Sequence, residues 1–269
     1  MTALRSVHWR GHPAGRLAAD RAYLSNSRVE KLQLPMRALS YDAVNDYRTD
    51  QLGVKAGYAG AIQVEGTWYG PCLPEHLVNA TIDFRNGVID EDTWQQRIEQ
   101  RRRYALRPKE RPDADGRVRL MCPAVGPSAT AACPLKPTRD KAGKTPITAV
   151  PENPGPICTN LVSVTFPVEV GAKYGQVLPY GTPEWQEAYS RPRNTIEGFN
   201  GYVKDPNREG LADPLRRRVR GYTAAFLFTT ILVMSANLRK IDAFLTRTEE
   251  ERNRQIGRAS CRERVSSPV

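Results

Sequence analysis

The sequence has no apolar segment near its start, where MTALRSVHWRGHPAG carries basic residues instead. A secretory signal peptide needs such a segment, so the sequence predicts a cytoplasmic protein in a reducing compartment. It also has no apolar run of the roughly 20 residues that cross a bilayer. The longest run, Ala224 to Ala236, is shorter and contains three hydroxyl side chains. We interpret it as a buried core helix and expect no membrane partner.

Cysteine and histidine are scarce and lack the spacing of metal ligands. No Cys-x-x-Cys occurs, and the three histidines show no ligand spacing. Zinc is therefore not expected as a cofactor. We interpret the cysteines upstream of the C-terminal tail as free buried thiols, with metal binding as the less favoured alternative: Cys72, Cys122, Cys133 and Cys158.

Acidic residues are in deficit, since 29 Asp+Glu stand against 40 Lys+Arg and the formal charge is +11. Such an excess favours an anionic partner, either nucleic acid or an anionic membrane surface. Composition does not choose between the two. The hydrophobic content of 40% is enough for a packed core, so disorder throughout is excluded.

Residues Ile256 to Val265 resemble a one-frame translation of a widely used sequencing-library adapter. We therefore expect residues 256–269 to be artefactual and the whole segment from 249 to be disordered. Removing the three Arg and one Glu of residues 256–269 lowers the charge from +11 to +9, so the chain stays basic.

Hydrophobic patterning predicts a mixed α/β protein. Short apolar runs predict strands at 15–23, 36–41 and 161–170 and a strand hairpin at 53–69. Helical spacing predicts helices between Asn26 and Pro35, over 90–107, over 195–203 and over 214–245. Ten of the 21 prolines lie between Pro108 and Pro156, which predicts a loop-rich insertion there.

Arginines cluster toward the carboxyl end of the predicted helix over 90–107. Asp90 and Asp92 lie at its other end, so the charges complement the helix dipole. A solvated helix face explains this pattern as well as a phosphate-contacting surface does. In the second interpretation the side chains that contact DNA include Arg101, Arg102 and Arg103.

The segment RNTIEGFNGYVK, residues 193–204, places charged groups on one helical ridge. Glu197 and Lys204 are seven residues apart, and Arg193 precedes Glu197 by one turn. A guanidinium, a carboxylate and an ammonium are thus expected on one face. Taken alone, Glu197 has the alternative role of an ordinary first-turn acid that complements the helix dipole.

This spacing resembles the Tyr, Arg, Glu and Lys signature around the third catalytic carboxylate of the DDE transposases of bacterial insertion sequences. Tyr189 stands one place from the position that the signature gives its Tyr. The segment ADRAY resembles the surroundings of the family's second catalytic Asp, with Asp20 in that role. Downstream, RRRVRG and ANLRKI resemble parts of the family's closing helix.

The resemblance implies a partial RNase H-like α/β core, a mixed sheet flanked by helices. Residues 1–45 would form its first part, 46–188 a loop-rich mixed insertion and 189–248 the C-terminal core helices. Asp20 and Glu197 would be the catalytic carboxylates and the ligands of Mg²⁺ in two-metal phosphoryl transfer. The resemblance and the basic ends of the apolar helix together predict these DNA contacts: Arg193, Lys204, Arg216, Arg217, Arg218 and Arg220.

The family site also needs a first Asp on an earlier strand, and the residues before Asp20 contain none. We therefore expect a C-terminal transposase fragment that binds DNA, is able to form homo-oligomers and does not catalyse strand transfer alone. One alternative is a non-catalytic, basic DNA-binding protein derived from a transposase. Another is a membrane-surface protein that uses the apolar run.

Overall fold

The computed structural model describes residues 1–19, 21, 24, 26–136, 142–215 and 219–265, with side chains described as far as Arg254. It is a mixed α/β protein, as the patterning predicts. The chain divides into two compact units, Met1–Arg193 and Asn194–Val269. The predicted start of the insertion, between residues 45 and 46, is not a boundary between the two units. Val44 and Tyr47, on either side of it, belong to the same core cluster.

The helices vary widely in length, from a single turn to 44 residues. Short 3-10 helices lie at Val29–Lys31, Thr49–Gln51 and Arg102–Tyr104. The α-helices with described bounds are α1 Thr2–Trp9, α2 Gln33–Ala38, α3 Glu75–Val78, α4 Ala80–Arg85, α5 Glu91–Arg101, α6 Pro156–Thr159, α7 Pro183–Lys204 and α8 Tyr222–Val265.

The strands form small sheets of two or three members. Their bounds are β1 Arg16–Ala19, β2 Asp42–Asn45, β3 Val54–Tyr58, β4 Ala61–Val64, β5 Thr67–Tyr69, β6 Arg107–Pro108, β7 Val118–Met121, β8 Ala131–Ala132, β9 Thr145–Pro146 and β10 Val164–Phe166. The sheets β1-β2 and β8-β9 are parallel, whereas β3-β4-β5 and β10-β7-β6 are antiparallel.

The parallel pair β1-β2 brings two carboxyl strand ends side by side. Ala19, the last residue of β1, pairs with Asn45, the last residue of β2. In each strand an apolar pair precedes the end, and an Asp follows in the sequence, as LAAD and AVND. In both sequences, polar residues therefore follow the apolar ones at the carboxyl ends of the two strands.

Strands β3, β4 and β5 form an antiparallel meander in the region where the pattern at 53–69 predicts a strand hairpin. The second turn consists of Glu65 and Gly66, whose φ angles are both positive, at 46° and 83°. A two-residue turn of this kind matches the twist of the paired strands. Gly66 is also required on steric grounds, because a Cβ there would lie 2.3 Å from the hydroxyl of Tyr47.

An aromatic core holds the first unit together between β2, the α4–α5 helices and the first half of α7. Trp94 of α5 stacks on Phe84 of α4, with ring centroids 4.8 Å apart. Trp185 stacks on Tyr189 within α7 at 5.0 Å. This core brings together residues that are far apart in the sequence, so the first unit is stabilised by long-range contacts.

In the second unit, α8 packs through one side. Ala236 is completely buried, and the side chains of Thr229, Leu232 and Val233 are half-buried. Their spacing of three and four residues places them on one helical side. The opposite side of α8 is exposed.

Several predicted elements differ from the structure. The helix predicted between Asn26 and Pro35 is replaced by a 3-10 helix and α2, which holds Pro35 in its first turn, where the missing N–H has no helical acceptor. The strand predicted at 36–41 is wrong, because Met36 belongs to α2 and the strand begins at Asp42. The helix predicted at 195–203 is the second half of the longer α7, which contains Pro192.

The apolar run at 224–236 is helical, but the prediction that it is buried is wrong. Phe226 is 64% exposed and Ile231 is 55% exposed. Among the described helices, the stretch Tyr222–Arg254 is long and apolar enough to cross a membrane by length and composition, with 6% of its most apolar window buried. The α8 backbone also continues through the segment predicted to be disordered, as far as Val265.

We expect Gly66→Ala to destabilise the first unit more than Gly87→Ala does. Both glycines have positive φ, so both substitutions add the backbone strain of roughly 1–2 kcal/mol. Only at Gly66 does the new Cβ also collide with Tyr47, since nothing lies within 4 Å of a Cβ at Gly87. Urea unfolding should show an additional loss of about 1–3 kcal/mol for Gly66→Ala. Equal losses would contradict the steric account.

Candidate functional site

The carboxylate of Asp46 lies directly after β2 and is buried. Its Oδ1 accepts a hydrogen bond from Nη2 of Arg85 at 2.9 Å, and its Oδ2 lies 2.7 Å from Nη2 of Arg21. The hydroxyl of Tyr180 also donates to Oδ1. Buried charges are stable only when they are paired and hydrogen-bonded. The carboxyl edge of the β1-β2 pair is therefore a densely paired charged site.

The hydroxyl of Tyr180 acts as a permanent donor in this site. Burial raises its pKa far above the ordinary value, and the neighbouring Asp46 carboxylate raises that pKa further. Because the two arginines and the phenol occupy the Asp46 oxygens, this carboxylate has little capacity left for a metal ion. The arrangement suits a structural role.

A second set of hydrogen bonds leads from β2 to α7. Nε2 of Gln176 donates to the Tyr47 hydroxyl at 2.9 Å, and Oε1 of Gln176 accepts from Nε1 of Trp185 at 3.0 Å. The Tyr47 hydroxyl donates to the carbonyl of Tyr174. Burial raises the pKa of Tyr47 well above its ordinary value, and the Glu65 charge adds to that rise. These bonds fix the first half of α7 in the first unit.

The predicted ridge of Arg193, Glu197 and Lys204 lies on α7. Glu197 and Lys204 are exposed. Nη1 of Arg193 donates to the hydroxyl of Tyr189 at 3.0 Å, and its guanidinium lies 5.9 Å from the ring centroid. Tyr189 stands one place from the family spacing, yet it still contacts Arg193 as an i,i+4 neighbour.

Asp20 lies outside the described residues, as do Arg216, Arg217 and Arg218. The strand predicted to carry Asp20 is present, since β1 ends at Ala19, the residue before it. The convergence of Asp20 with Glu197 stays a prediction.

Basic side chains of the second unit gather around the ring of Tyr202. The guanidinium of Arg208 lies 3.9 Å from the ring centroid, and Nζ of Lys240 lies 4.4 Å from it. A cation over an aromatic face gains about 0.5–1 kcal/mol at exposed sites. Arg239 forms an ion pair with the buried Glu209 at 3.2 Å. The ring of Tyr202 thus lies beside two cations, of which Arg208 is also paired with the carboxylate of Asp205 at 3.3 Å.

Arg101 is buried, so its predicted role as a DNA contact is wrong. Its side chain forms an ion pair with the equally buried Glu65 and donates to the carbonyl of Leu77 at 2.6 Å. The hydroxyl of Thr81 donates to Glu65 at 2.9 Å. Burial alone would lower the pKa of Arg101, but the charge and hydrogen bond of Glu65, together with Tyr69 and Tyr180, more than offset that effect, and the pKa lies above its ordinary value. This pair joins the β4-β5 turn to α3 and α5.

The other predicted arginines of the described chain are exposed. Nη1 of Arg102 lies 3.1 Å from the Glu99 carboxylate, and Nη1 of Arg103 donates to Thr145 at 3.4 Å. Arg220 is exposed as well. Exposed ion pairs contribute little to stability, so these side chains can exchange their partners for phosphates.

A cavity of about 760 Å³ in the first unit is lined by polar and apolar groups, including Arg37 and Asp42. The Arg37 guanidinium is already committed, because it donates to the carbonyls of Val168, Ala172 and Gly175 at 3.3–3.4 Å. Burial lowers its pKa. The cavity therefore offers no unused cation for an anionic ligand at Arg37.

Four thiols line one small cavity of about 20 Å³ in the first unit. All four are free; three are buried and Cys72 is half-buried. Burial raises the pKa of Cys72 to about 12, and the three other thiols add to that rise. They come from four separate segments, so no local spacing could reveal that they converge: Cys72, Cys122, Cys133 and Cys158.

Within the described part of the chain, no three His, Cys, Asp or Glu side chains are placed so that they could hold a metal ion. Glu197 belongs to that part and Asp20 does not. The predicted Mg²⁺ site therefore stays a prediction.

Comparison with protein-family models, with curated proteins and with solved structures finds no match to the chain. The resemblance to the DDE transposases consequently depends on the motif residues alone.

We expect Arg101→Ala to lower the free energy of unfolding by roughly 3–5 kcal/mol, because it leaves Glu65 buried without its cation. The matched substitution Arg102→Ala removes an exposed arginine one residue away and should change stability by less than about 0.5 kcal/mol. Urea unfolding of both variants checks this. Similar losses for the two would contradict the structural role of Arg101.

The thiol of Cys72 should react slowly with iodoacetamide at pH 8 and about ten times faster for each pH unit from 8 to 10. The thiolate is the nucleophile, and its fraction rises in that proportion well below a pKa of about 12. A small reference thiol of ordinary pKa, about 8.5, should level off within the same range. Mass spectrometry of the labelled peptide, with Cys72→Ser to confirm its assignment, measures the rates. A plateau for Cys72 below pH 10 would disprove the raised pKa.

Proposed function

We propose that the chain is the C-terminal part of a DDE transposase, with an RNase H-like core, that binds DNA and supplies two of its three catalytic carboxylates. The observation that carries the proposal is the placement of Arg193, Glu197 and Lys204 on one continuous helix, α7. Tyr189 supports it, because it lies on the same helix and its hydroxyl accepts a hydrogen bond from Arg193.

The parallel pair β1-β2 of the first unit adds support for the role of Asp20. In α/β folds, functional groups gather at the carboxyl ends of parallel strands. Asp20 follows β1 at such an end in the sequence. Asp46, which follows β2, is occupied by two arginines, so Asp20 is the acid that we propose for catalysis.

Glu197 and Asp20 would be the ligands of Mg²⁺, which supplies activation of the attacking water or 3′-hydroxyl and stabilisation of the leaving oxygen. Arg193 would bind a substrate phosphate with its planar fork, and Lys204 would bind another as a point charge. The resemblance calls for a third carboxylate on an earlier strand, which the residues before Asp20 lack.

DNA binding is proposed from charge. The chain carries +11 overall, and Lys240 and Arg208 of the second unit lie over the ring of Tyr202. Each lysine or arginine that neutralises a phosphate releases a counterion, so affinity falls as salt rises.

The affinity for a random-sequence duplex should fall steeply with salt. Lys204→Ala should weaken binding and reduce the slope of log affinity against log salt by about 1, the loss of one phosphate contact. Lys173→Ala is a matched control, because Lys173 is an exposed lysine of the first unit that lies over the ring of Tyr174. Fluorescence anisotropy at several salt concentrations measures both. No binding at low salt, or equal effects of the two variants, would refute this assignment.

The 269-residue chain should leave DNA intact in the presence of Mg²⁺ or Mn²⁺. A longer protein that adds an upstream strand ending in Asp should cut or join element ends, and Glu197→Ala should abolish that activity. Glu187→Ala in the same extended protein is the control, because Glu187 is an exposed acid on α7 that pairs with Arg191. Gel analysis of labelled DNA decides. Undiminished cleavage by the Glu197→Ala variant would remove Glu197 from the proposed site.

A further inference from the structure

Four cysteines of the first unit converge on one small cavity from four separate parts of the fold. Cys72 lies between β5 and α3, Cys122 directly follows β7, Cys133 directly follows β8, and Cys158 belongs to α6. The cavity that all four line has a volume of about 20 Å³. A space of that size holds about one water molecule or one metal ion. We call these four residues the thiol cluster.

The four sulfurs are electrostatic neighbours. Burial raises the pKa of Cys72, and the charges of the other three raise it further. Burial also raises the pKa of Cys158, to which Cys122 and Cys133 add. Thiolates placed together in this way repel one another, and a cation bound between them turns that repulsion into attraction.

Cys122 and Cys133 occupy the same place in two similar turns. Each follows a strand and precedes a proline. The carbonyl of Cys122 accepts from the Val125 amide at 3.0 Å, and that of Cys133 accepts from the Lys136 amide at 3.1 Å. The Ala124 amide also donates to the sulfur of Cys122, and such a bond favours the thiolate over the thiol. Both sulfurs are therefore presented from hydrogen-bonded turns, which suits ligands whose orientation must be fixed.

A buried lysine supplies positive charge beside the thiol cluster. Lys136 is 5% exposed and lines the same cavity, and its ammonium donates to the carbonyl of Asn160. Burial raises the pKa of Cys122 and of Cys158, and the Lys136 charge opposes that rise at both. Four thiolates around one divalent cation carry a net negative charge. The ammonium of Lys136 would stabilise that charge at close range.

The core around two of these cysteines is small. Strands β8 and β9 have two residues each. The buried side chains that pack there are mostly small ones and thiols: Cys122, Ala124, Ala131, Cys133 and Ile147. Small cores are commonly stabilised by disulfides or by a structural metal ion, and the four described cysteines are free. An ion bound by all four would tie four segments of the first unit together.

We propose that the thiol cluster binds one Zn²⁺ through its four sulfurs, in a tetrahedral structural site. Four cysteine ligands at tetrahedral positions select zinc among the common single ions. On binding, four S–H bonds break, four Zn–S bonds of about 2.3 Å form and four protons pass to the solvent, with no change of oxidation state. The spacing of the cysteines argued against zinc because it reveals only ligands that are neighbours in the sequence.

Binding requires the sulfurs to turn inward. In the described conformation no three of them are placed to hold an ion. Tetrahedral Zn–S bonds bring the sulfurs to about 3.8 Å from one another. Rotation about a single bond moves the sulfur of a cysteine between staggered rotamers while the backbone stays in place. We therefore expect the ion to close the thiol cluster by changes of rotamer.

Zinc titration of the full chain tests the proposal. The reduced chain, stripped of metal with a chelator, should bind one Zn²⁺ in competition with a chromophoric chelator. Cys72→Ser and Cys133→Ser should each raise the dissociation constant at least about tenfold, because each removes a ligand. Cys261→Ser is the matched control, since Cys261 is the fifth cysteine and lies in the segment predicted to be artefactual. It should leave the constant unchanged. Absence of zinc binding, or binding that either cluster variant leaves unchanged, overturns the proposal.

Cobalt substitution identifies the ligands in the wild-type chain, so it does not depend on whether a variant folds. Co²⁺ held by four thiolates should give intense sulfur-to-metal charge-transfer absorption and tetrahedral d–d bands, and added Zn²⁺ should abolish both. A weak octahedral spectrum would assign the binding to oxygen ligands and overturn the proposal. Iron together with inorganic sulfide in the purified chain would assign the cysteines to an iron–sulfur cluster and overturn it as well.

Discussion

A carboxylate buried at the end of β2 is the constraint on which the first unit depends. Removing a charge from water costs several kcal/mol unless partners replace the water. Asp46 receives Arg21, Arg85 and Tyr180, which come from the segment after β1, from α4 and from the segment before α7. Those three segments must therefore meet at one point. The aromatic core fills the space around that point, and the first half of α7 is fixed against it.

Features set by neighbouring residues could be predicted from the sequence, whereas features set by contacts between distant segments could not. The meander turn at Glu65 and Gly66 and the cap of α5, where Asp90 accepts from the Thr93 amide, are local signals and were predictable. The burial of Arg101 was not, because its partner Glu65 lies 36 residues away and nothing near Arg101 indicates it. The exposure of α8 was not predictable either, since apolar composition does not say which surface covers it.

The candidate site divides in a similar way. Helical spacing was sufficient to place Arg193 and Glu197 on one helix. The Asp46 site was predictable in principle, because AVND repeats the pattern of apolar residues followed by Asp that LAAD shows at Asp20. The converging thiols were out of reach: Cys72 and Cys158 are 86 positions apart, and only the folded chain brings them to one cavity. Spacing along one helix was thus enough to group residues on one face. Contacts between residues far apart in the sequence could be identified only from the structure.

The separation of Asp46 from Tyr180, 134 positions along the chain, also bears on how the protein is made. During synthesis at about 5–20 residues per second, roughly 7–27 s pass between the polymerisation of Asp46 and that of Tyr180. For that period the β2 end has neither the phenol nor the aromatic residues of α7, and its apolar neighbours stay in water. The first unit is thus expected to close late and as a whole, and its nascent N-terminal half is a natural substrate for chaperones that hold unfolded chains.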